Sequence, residues 1–341
     1  MKTAVVILNW NGRKFLEKFL PGVVAASSGV AGIIIADNNS SDDSLDYLEQ
    51  HHPGIRTIRL EKNHGFAGGY NLALKQVDAE FYILLNSDIE VTAGWIEPVI
   101  RLMETDPAIA ACQPKIRSYK EPEKFEYAGA AGGFIDKFGY PFCSGRLFQS
   151  LEKDEGQYDR VREVFWATGA CMFVRADVFH RLGGFDDDFF AHMEEIDFCW
   201  RAKNQGFKVM YCPDSTIFHI GGGTLPKHNS RKTYLNIRNN ITMLYKNLEE
   251  ERLLKILAAR ILLDYVAAVK FLFDGGFKDM AAVIKAHFYF WRHLPLLRKK
   301  REKIPHLKVS QIYWGNIVID HYLGRKKSFL QLDPGKFTTN P

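Results

Sequence analysis

The chain has 341 residues, 46% hydrophobic and 25% charged, with a formal net charge of +5. That is an ordinary globular balance, long enough for one large or two modest domains and rich enough in apolar residues to bury a core. Its five cysteines (Cys112, Cys143, Cys171, Cys199 and Cys212) are odd in number and form no CxxC pair, which argues against a disulfide framework or a zinc site and fits a reducing compartment.

The charge is unevenly spread. Residues 221–341 carry 22 Lys and Arg against 9 Asp and Glu, whereas residues 1–220 carry 23 against 31. An acidic first part and a basic last part suggest a catalytic unit followed by a segment that meets an anionic surface, either nucleic acid or phospholipid.

At the N-terminus, "AVVILNW" is a β-rich apolar run with no small-residue cleavage site after it, so it reads as a first strand rather than a signal peptide. "GRKFLEKFLPGVVAA" follows with helical spacing. "GIIIADN" is a second buried strand, and "SSDDSLDYLEQH" opens a helix with Ser/Asp capping chemistry. "IRTIRL", "GFAGGYNLALKQV" and "FYILLN" continue as strand, helix and strand. Short apolar strands alternating with helices predict an α/β fold with a mostly parallel sheet covered on both faces. Ligands of such sheets bind beyond the carboxyl ends of the strands, where Asp37 and Asp88 both fall.

Residues 107–165 are less regular and read as loops and short strands. "VFWATGACMFVRADVFHRLGGFD" reads as strand, short helix and turn, and "EEIDFCWRAKNQGFKVMY" as a helix ending at Gly206 and then a strand. Beyond about residue 230 the pattern is helical, which divides the chain into 1–230 and a basic helical part, 231–341. In "ERLLKILAARILLDYVAAVKFLFD" the charges at 252, 255, 260, 264, 270 and 274 fall in about half of a helical wheel. No apolar run reaches the roughly 18 residues that a membrane span requires. "KAHFYFWRHLPLLRKKREK" joins an aromatic cluster to a basic one. It suits either a helix lying on a bilayer or a helix packed on the catalytic part with a solvated basic tail.

Four points carry candidate chemistry. Asp37 in "ADNNSSDDS" could accept from a base or ribose, or serve only as an Asx turn and helix cap. Asp88 cannot chelate a diphosphate by itself, since both are anions, but with Mg²⁺ or Mn²⁺ between them it could. Otherwise it is a strand-end turn residue. Glu194, Glu195 and Asp197 are three acids within four residues, interleaved with aromatics. Macrodipole-favoured acidity accounts for one or two of them. An acid in a partly apolar pocket can act as a general base near neutrality. His219 in "FHIGGGT" ends a strand beside a glycine run suited to phosphate.

In this order, "VVILNWNG", "ADNNSSDDS", "NHGFAGGYN", "LLNSDIEV", "TGACMFVRADVF", "GGFDDDFFAHMEEIDFCWR" and "FHIGGGT" resemble the inverting GT-A glycosyltransferases of family 2, in particular the rhamnosyltransferase-like bacterial branch. The resemblance covers about residues 3–235. It implies a GT-A fold, Rossmann-like with a mostly parallel sheet flanked by helices, followed here by a C-terminal helical extension. It also implies that Asn9, Asn11, Asp37, Asn39, Gly65, Asn71, Asn86 and Asp88 surround a nucleotide-diphosphate sugar, dTDP- or UDP-linked. The family's acidic metal motif is reduced to Asn86-Ser87-Asp88, and His219 would be the second ligand of a divalent cation. Glu195 would be the catalytic base and Glu194 its neighbour. Trp166 and Asp197 would meet the acceptor, and Gly221, Gly222, Gly223 and Thr224 the phosphates. The implied reaction is inverting transfer of a sugar, such as rhamnose, to a glycan or lipid-linked saccharide. The expected location is cytoplasmic, at the inner face of the membrane. A nucleotidyltransferase would need a Gly-rich cationic loop in place of "LNWNGRKF". A nucleic-acid-binding protein would need a recognisable basic motif, which the C-terminal part lacks.

Overall fold

A computed structural model describes residues 1–221 and 229–339. β1 (Thr3–Asn9), α1 (Arg13–Ser27), β2 (Gly32–Asp37), α2 (Ser44–His51), β3 (Arg56–Arg59), α3 (Gly65–Leu74) and β4 (Phe81–Leu85) alternate as expected. The four strands run parallel in the order β4-β1-β2-β3. Their apolar runs are buried on both faces. Leu16, Leu20 and Tyr47 of α1 and α2 cover one face, and Ala67, Tyr70 and Leu74 of α3 cover the other.

The chain continues with β5 (Ile89–Val91), α4 (Glu97–Thr105) and β6 (Ile109–Ser118). Four short strands follow: β7 (Gly133–Asp136), β8 (Pro141–Cys143), β9 (Arg146–Leu147) and β10 (Ser150–Leu151). β11 (Arg162–Val164), β12 (Cys171–Arg175), α5 (Ala176–Arg181), α6 (Glu194–Lys203) and β13 (Lys208–His219) complete the main sheet, whose path is β11-β13-β6-β12-β4-β1-β2-β3. β12 is antiparallel to both β4 and β6, so the sheet is mixed rather than mostly parallel. The parallel pairs are those of β4-β1-β2-β3 and of β6 with β13.

α7 (Ser230–Asn247), α8 (Glu250–Phe273) and α9 (Phe277–Arg301) pack on one another around Ile241, Leu257, Phe290 and Leu297. They are tied to the sheet-bearing part by charge. Lys246 meets Asp186 and Asp197, and Lys300 meets Asp186 and Asp188. The region 231–341 is not purely helical, which corrects the sequence expectation. After α9 the chain returns as β14 (Ile312–Tyr313), which pairs with β7, and then as α10 (Ile317–Tyr322). Phe329 and Phe337 pack beside Phe134 and Phe142 of the second sheet, β10-β9-β8-β7-β14. Aromatics scattered over 200 residues meet only in three dimensions, so helical periodicity did not reveal this return.

All five cysteines are buried and free. Among the described residues no helix is long and apolar enough to cross a membrane.

Candidate active site

The ends of β1 and β2 bring Asn9 opposite Asp37. Asp37 is buried, and its carboxylate accepts from Asn9 Nδ2 at 3.1 Å, Ser40 N at 2.9 Å and Ser40 Oγ at 2.6 Å. Asn11 has φ +52°, and its side-chain oxygen accepts from Ser41 N at 2.7 Å. Asn39, also left-handed at φ +62°, is exposed. Its neighbour Asn38 links this cluster to α3, donating to the Gly65 carbonyl at 2.9 Å and accepting from His64 N at 2.9 Å.

Gly65 has φ +72°, and a Cβ there would lie 2.4 Å from the Phe190 carbonyl oxygen. Only glycine permits this approach, which lets Phe66 N donate to Phe190 O at 2.6 Å. Asn71 is engaged within the protein. Its amide is engaged with the backbone of Phe185 and with Asp187 Oδ1, so it holds the loop that leads into α6.

Asp88 lies two residues beyond the end-strand position of Asn86, whose N–H donates to Ala170 O at 2.9 Å. The antiparallel pairing of β5 with the end of β13 sets His219 opposite Ile89. His219 Nε2 thereby comes to 3.2 Å from Asp88 Oδ1. On the other side of the ring, Nδ1 is 3.1 Å from Glu126 Oε2. Glu126 was not anticipated. It follows a short irregular stretch, and nothing in its local pattern distinguishes it from a surface acid. Burial alone would lower the His219 pKa, but the Glu126 and Asp88 carboxylates outweigh it and raise it to about 10.

A cation held between Asp88 and His219 would have two protein ligands and would have to displace the proton that His219 Nε2 shares with Asp88. One carboxylate oxygen and one imidazole nitrogen face each other there, while Glu126 lies behind the ring as an outer partner. Among the described residues no group of three His, Cys, Asp or Glu side chains converges on one point. The remaining positions of an ion would therefore fall to phosphate and water. Gly221 has φ +69° and packs against Glu126, where a Cβ would lie 2.5 Å from Oε1. Gly222, Gly223 and Thr224 lie outside the described residues.

α6 begins after a turn in which Phe190, His192 and Met193 all have positive φ. Left-handed backbone at three non-glycine residues is unfavourable and must be held by its surroundings. Asn239 of α7 donates to the carbonyls of Phe189 (3.0 Å), Ala191 (2.9 Å) and His192 (2.7 Å). Arg238 donates to those of Asp188 (2.7 Å) and Phe189 (2.8 Å). The sequence signal for this clamp is a run of polar residues, Arg238-Asn239-Asn240, at positions that the helix buries.

Glu194 and Glu195 open α6 from this turn. Glu194 is buried and Glu195 half-buried, and Oε2 of each has no hydrogen-bond partner. Burial pushes the Glu195 pKa up to about 7. Burial, and then the neighbouring Glu195 charge, push Glu194 well above the usual carboxylate range. A buried carboxylate oxygen without a partner is expensive to keep as a purely structural feature.

Two sequence expectations are corrected. Asp197 does not face an acceptor. It is fully buried, and although burial favours its neutral form, Lys246 and Arg201 overcome this and lower its pKa. It also accepts from Asn247 Nδ2 at 2.8 Å. Trp166 is not a free stacking surface: it is buried against Gly133, and its indole N–H donates to Phe134 O at 2.9 Å.

The site residues form one contiguous edge. Ser87 lies beside Gly12 and Asn9, Phe66 lies beside Gly169, and Gly65 touches the turn before Glu194. The profile of Glycosyl transferase family 2 matches residues 4–183, just over half of the chain. The chain belongs to glycosyl transferase family 2. It is 26% identical over 233 residues to the N-acetylglucosaminyl-diphospho-decaprenol L-rhamnosyltransferase of Mycobacterium tuberculosis, covering 63% of this chain and 75% of that protein. It is 25% identical over 235 residues to dTDP-rhamnosyl transferase RfbF of Shigella flexneri, covering 63% and 71%. It is 23% identical over 259 residues to rhamnosyltransferase WbbL of Escherichia coli K12, covering 73% and 94%. Among solved structures, GalNAc-T7 with UDP, GalNAc and Mn²⁺ superposes with a TM-score of 0.58 at 17% identity, over 73% of this chain and 48% of that one. The mannosyltransferase PcManGT of Pyrobaculum calidifontis, with GDP-Man and Mn²⁺, gives 0.52 at 15% identity, over 87% and 79%. The fold is thus the GT-A fold of this family, and the protein is a family 2 glycosyltransferase. Glu194, Glu195 and His219 lie beyond the matched segment, so their roles rest on geometry.

Proposed function

We propose that this family 2 enzyme is an inverting, divalent-cation-dependent hexosyltransferase. It moves a sugar from a nucleoside diphosphate to a hydroxyl of a glycan or lipid-linked saccharide during cell-surface polysaccharide assembly, at the cytoplasmic face of the membrane. Three relatives named as rhamnosyltransferases favour L-rhamnose from a dTDP donor, with UDP-sugars as the alternatives to screen. The observation that carries the reading is Glu195: a carboxylate with one oxygen unpartnered and a raised pKa, directly after a braced turn that touches Gly65 beside the Asp37 cluster.

Asn9, Asn11, Asp37, Asn39, Gly65 and Asn86 would line the nucleotide side. Asp88 and His219 would hold Mg²⁺ or Mn²⁺, which when bound compensates the charge of the departing diphosphate. Glu195 accepts the proton of the acceptor hydroxyl. The acceptor oxygen bonds to the anomeric carbon as the bond from that carbon to the phosphate oxygen breaks, and its electron pair leaves with the nucleoside diphosphate. One base and one displacement invert the configuration, whereas a glycosidase needs two flanking carboxyl groups. Glu194, held neutral beside the base, stays out of proton transfer.

The test is a donor screen with purified protein that measures release of dTDP, UDP or GDP with and without EDTA. Cation-dependent release from one donor, with inverted stereochemistry in the product, supports the reading. Retention of configuration, or full activity in Asp88→Ala, overturns it.

A further inference from the structure

α7 and α9 enclose an open groove of about 680 Å³. Four of its lining side chains are cations, Arg231, Lys278, Lys285 and Arg292, and among the described residues no acid lines it. The nearest acid on α9, Asp279, has its carboxylate engaged by the Thr233 hydroxyl at 2.6 Å. Among the described residues, none of the four cations forms an ion pair with an acid. Four cations gathered without counter-charge repel one another, so an anion that joins them is favoured.

The groove adjoins the catalytic turn, because the Arg231 guanidinium stacks over the Phe190 ring at 5.1 Å. It also adjoins an apolar surface. Lys278, Lys285 and Arg292 recur every seven residues along α9, and Phe277, Ile284, Phe288 and Trp291 form an exposed stripe immediately beside them. On α8, Leu262, Val266, Val269 and Phe273 form a second exposed stripe at helical spacing, with Phe273 84% exposed. Contiguous exposed apolar side chains of this kind mark an interaction site.

We propose that the α7–α9 groove is an anion site for the diphosphate of a lipid-linked acceptor, whose hydrocarbon chain runs along the exposed stripes of α8 and α9. The inference rests on the transferase reading and adds to it the place where the acceptor is held. A phosphate group and an apolar chain on one molecule match the two adjoining surfaces. A sugar attached to that diphosphate then extends toward the turn that carries Glu195.

The test uses the full-length chain in EDTA and without nucleotide, so that the cation-dependent donor site takes up no diphosphate. Binding of farnesyl diphosphate, inorganic pyrophosphate and phosphatidylglycerol vesicles is compared for the native protein and Lys285→Glu/Arg292→Glu. The expected result is that farnesyl diphosphate binds more tightly than pyrophosphate, and that charge reversal weakens it by about tenfold or more. Phe288→Ser should weaken farnesyl diphosphate and leave pyrophosphate unchanged. Donor binding, read separately by thermal shift, stays at the native value in all variants. Failure of the native protein to bind farnesyl diphosphate overturns the proposal. So does charge reversal that abolishes vesicle binding alone, since the surface would then serve general headgroup docking. Neither outcome touches the donor-screen result, so failure of the groove and failure of the transferase reading are separable.

Discussion

Glu126 Oε2 lies 3.1 Å from His219 Nδ1, on the opposite side of the imidazole from Asp88. That arrangement fixes the ring plane and leaves Nε2 directed toward the Asp88 carboxylate. In the proposed ion site Glu126 would therefore be a positioning residue and not a ligand. Glu126→Gln is expected to weaken Mn²⁺ binding by roughly 10- to 100-fold, the usual scale for loss of an outer-shell partner. Mn²⁺ titration followed by electron paramagnetic resonance checks this without turnover. An unchanged affinity would show that the ring needs no such partner.

Glu195 and Glu194 should separate cleanly in kinetics. Glu195→Gln is expected to lower kcat by ~100-fold or more, the scale of a missing general base, with donor affinity retained. Glu194→Gln replaces a carboxyl already held neutral and should keep most of the activity. The native enzyme's kcat should fall as pH drops through about 7, because the Glu195 base must be ionised. Glu195→Gln should lose that limb. The apparent value belongs to the Glu194–Glu195 pair.

Glu194 also makes a stability prediction with a definite sign. Its folded-state pKa is raised above the ordinary value of 4.5. The folded state therefore binds more protons than the unfolded state at pH values between the two, and stability contributed by this group falls as pH rises above about 4.5. Glu194→Gln should raise Tm more at pH 8 than at pH 5. Equal shifts at both pH values would show that the native carboxyl is not held neutral.

Asn239→Ala removes the donor to three carbonyls of the turn before α6. Arg238 still serves the Phe189 carbonyl, but those of Ala191 and His192 lose this donor at a cost of about 1–3 kcal/mol, so a measurable fall in Tm is expected. Because the strained turn carries Glu195, kcat should fall by more than donor affinity does. A variant with normal kcat and reduced Tm would make the clamp purely structural.

The sequence was most informative at strand ends. Asp37 and Asp88 follow apolar runs whose ends are set by local pattern, and the structure places both there. The α6 start at Glu194 and its left-handed stop at Gly206 were equally legible. What was hidden depends on pairings distant in sequence. Asp197 and Trp166 look like site residues in a motif, yet three-dimensional neighbours occupy their polar atoms. Glu126 looks like a surface residue until β13 is placed against it, and Asn239 until α7 is placed against the turn before α6. A polar side chain in an amphipathic helix reads the same whether water or a strained turn receives its hydrogen bonds.

The return of the chain through β14, Phe329 and Phe337 bears on protein engineering. A chimera that exchanges everything after residue 230 with a relative would strip the β7–β10 sheet of its last strand and of two aromatic plugs. It would also leave Asp186 and Asp197 without their lysines. An exchangeable module for altering acceptor choice must therefore carry residues 133–151 and the 186–197 turn together with the C-terminal helices.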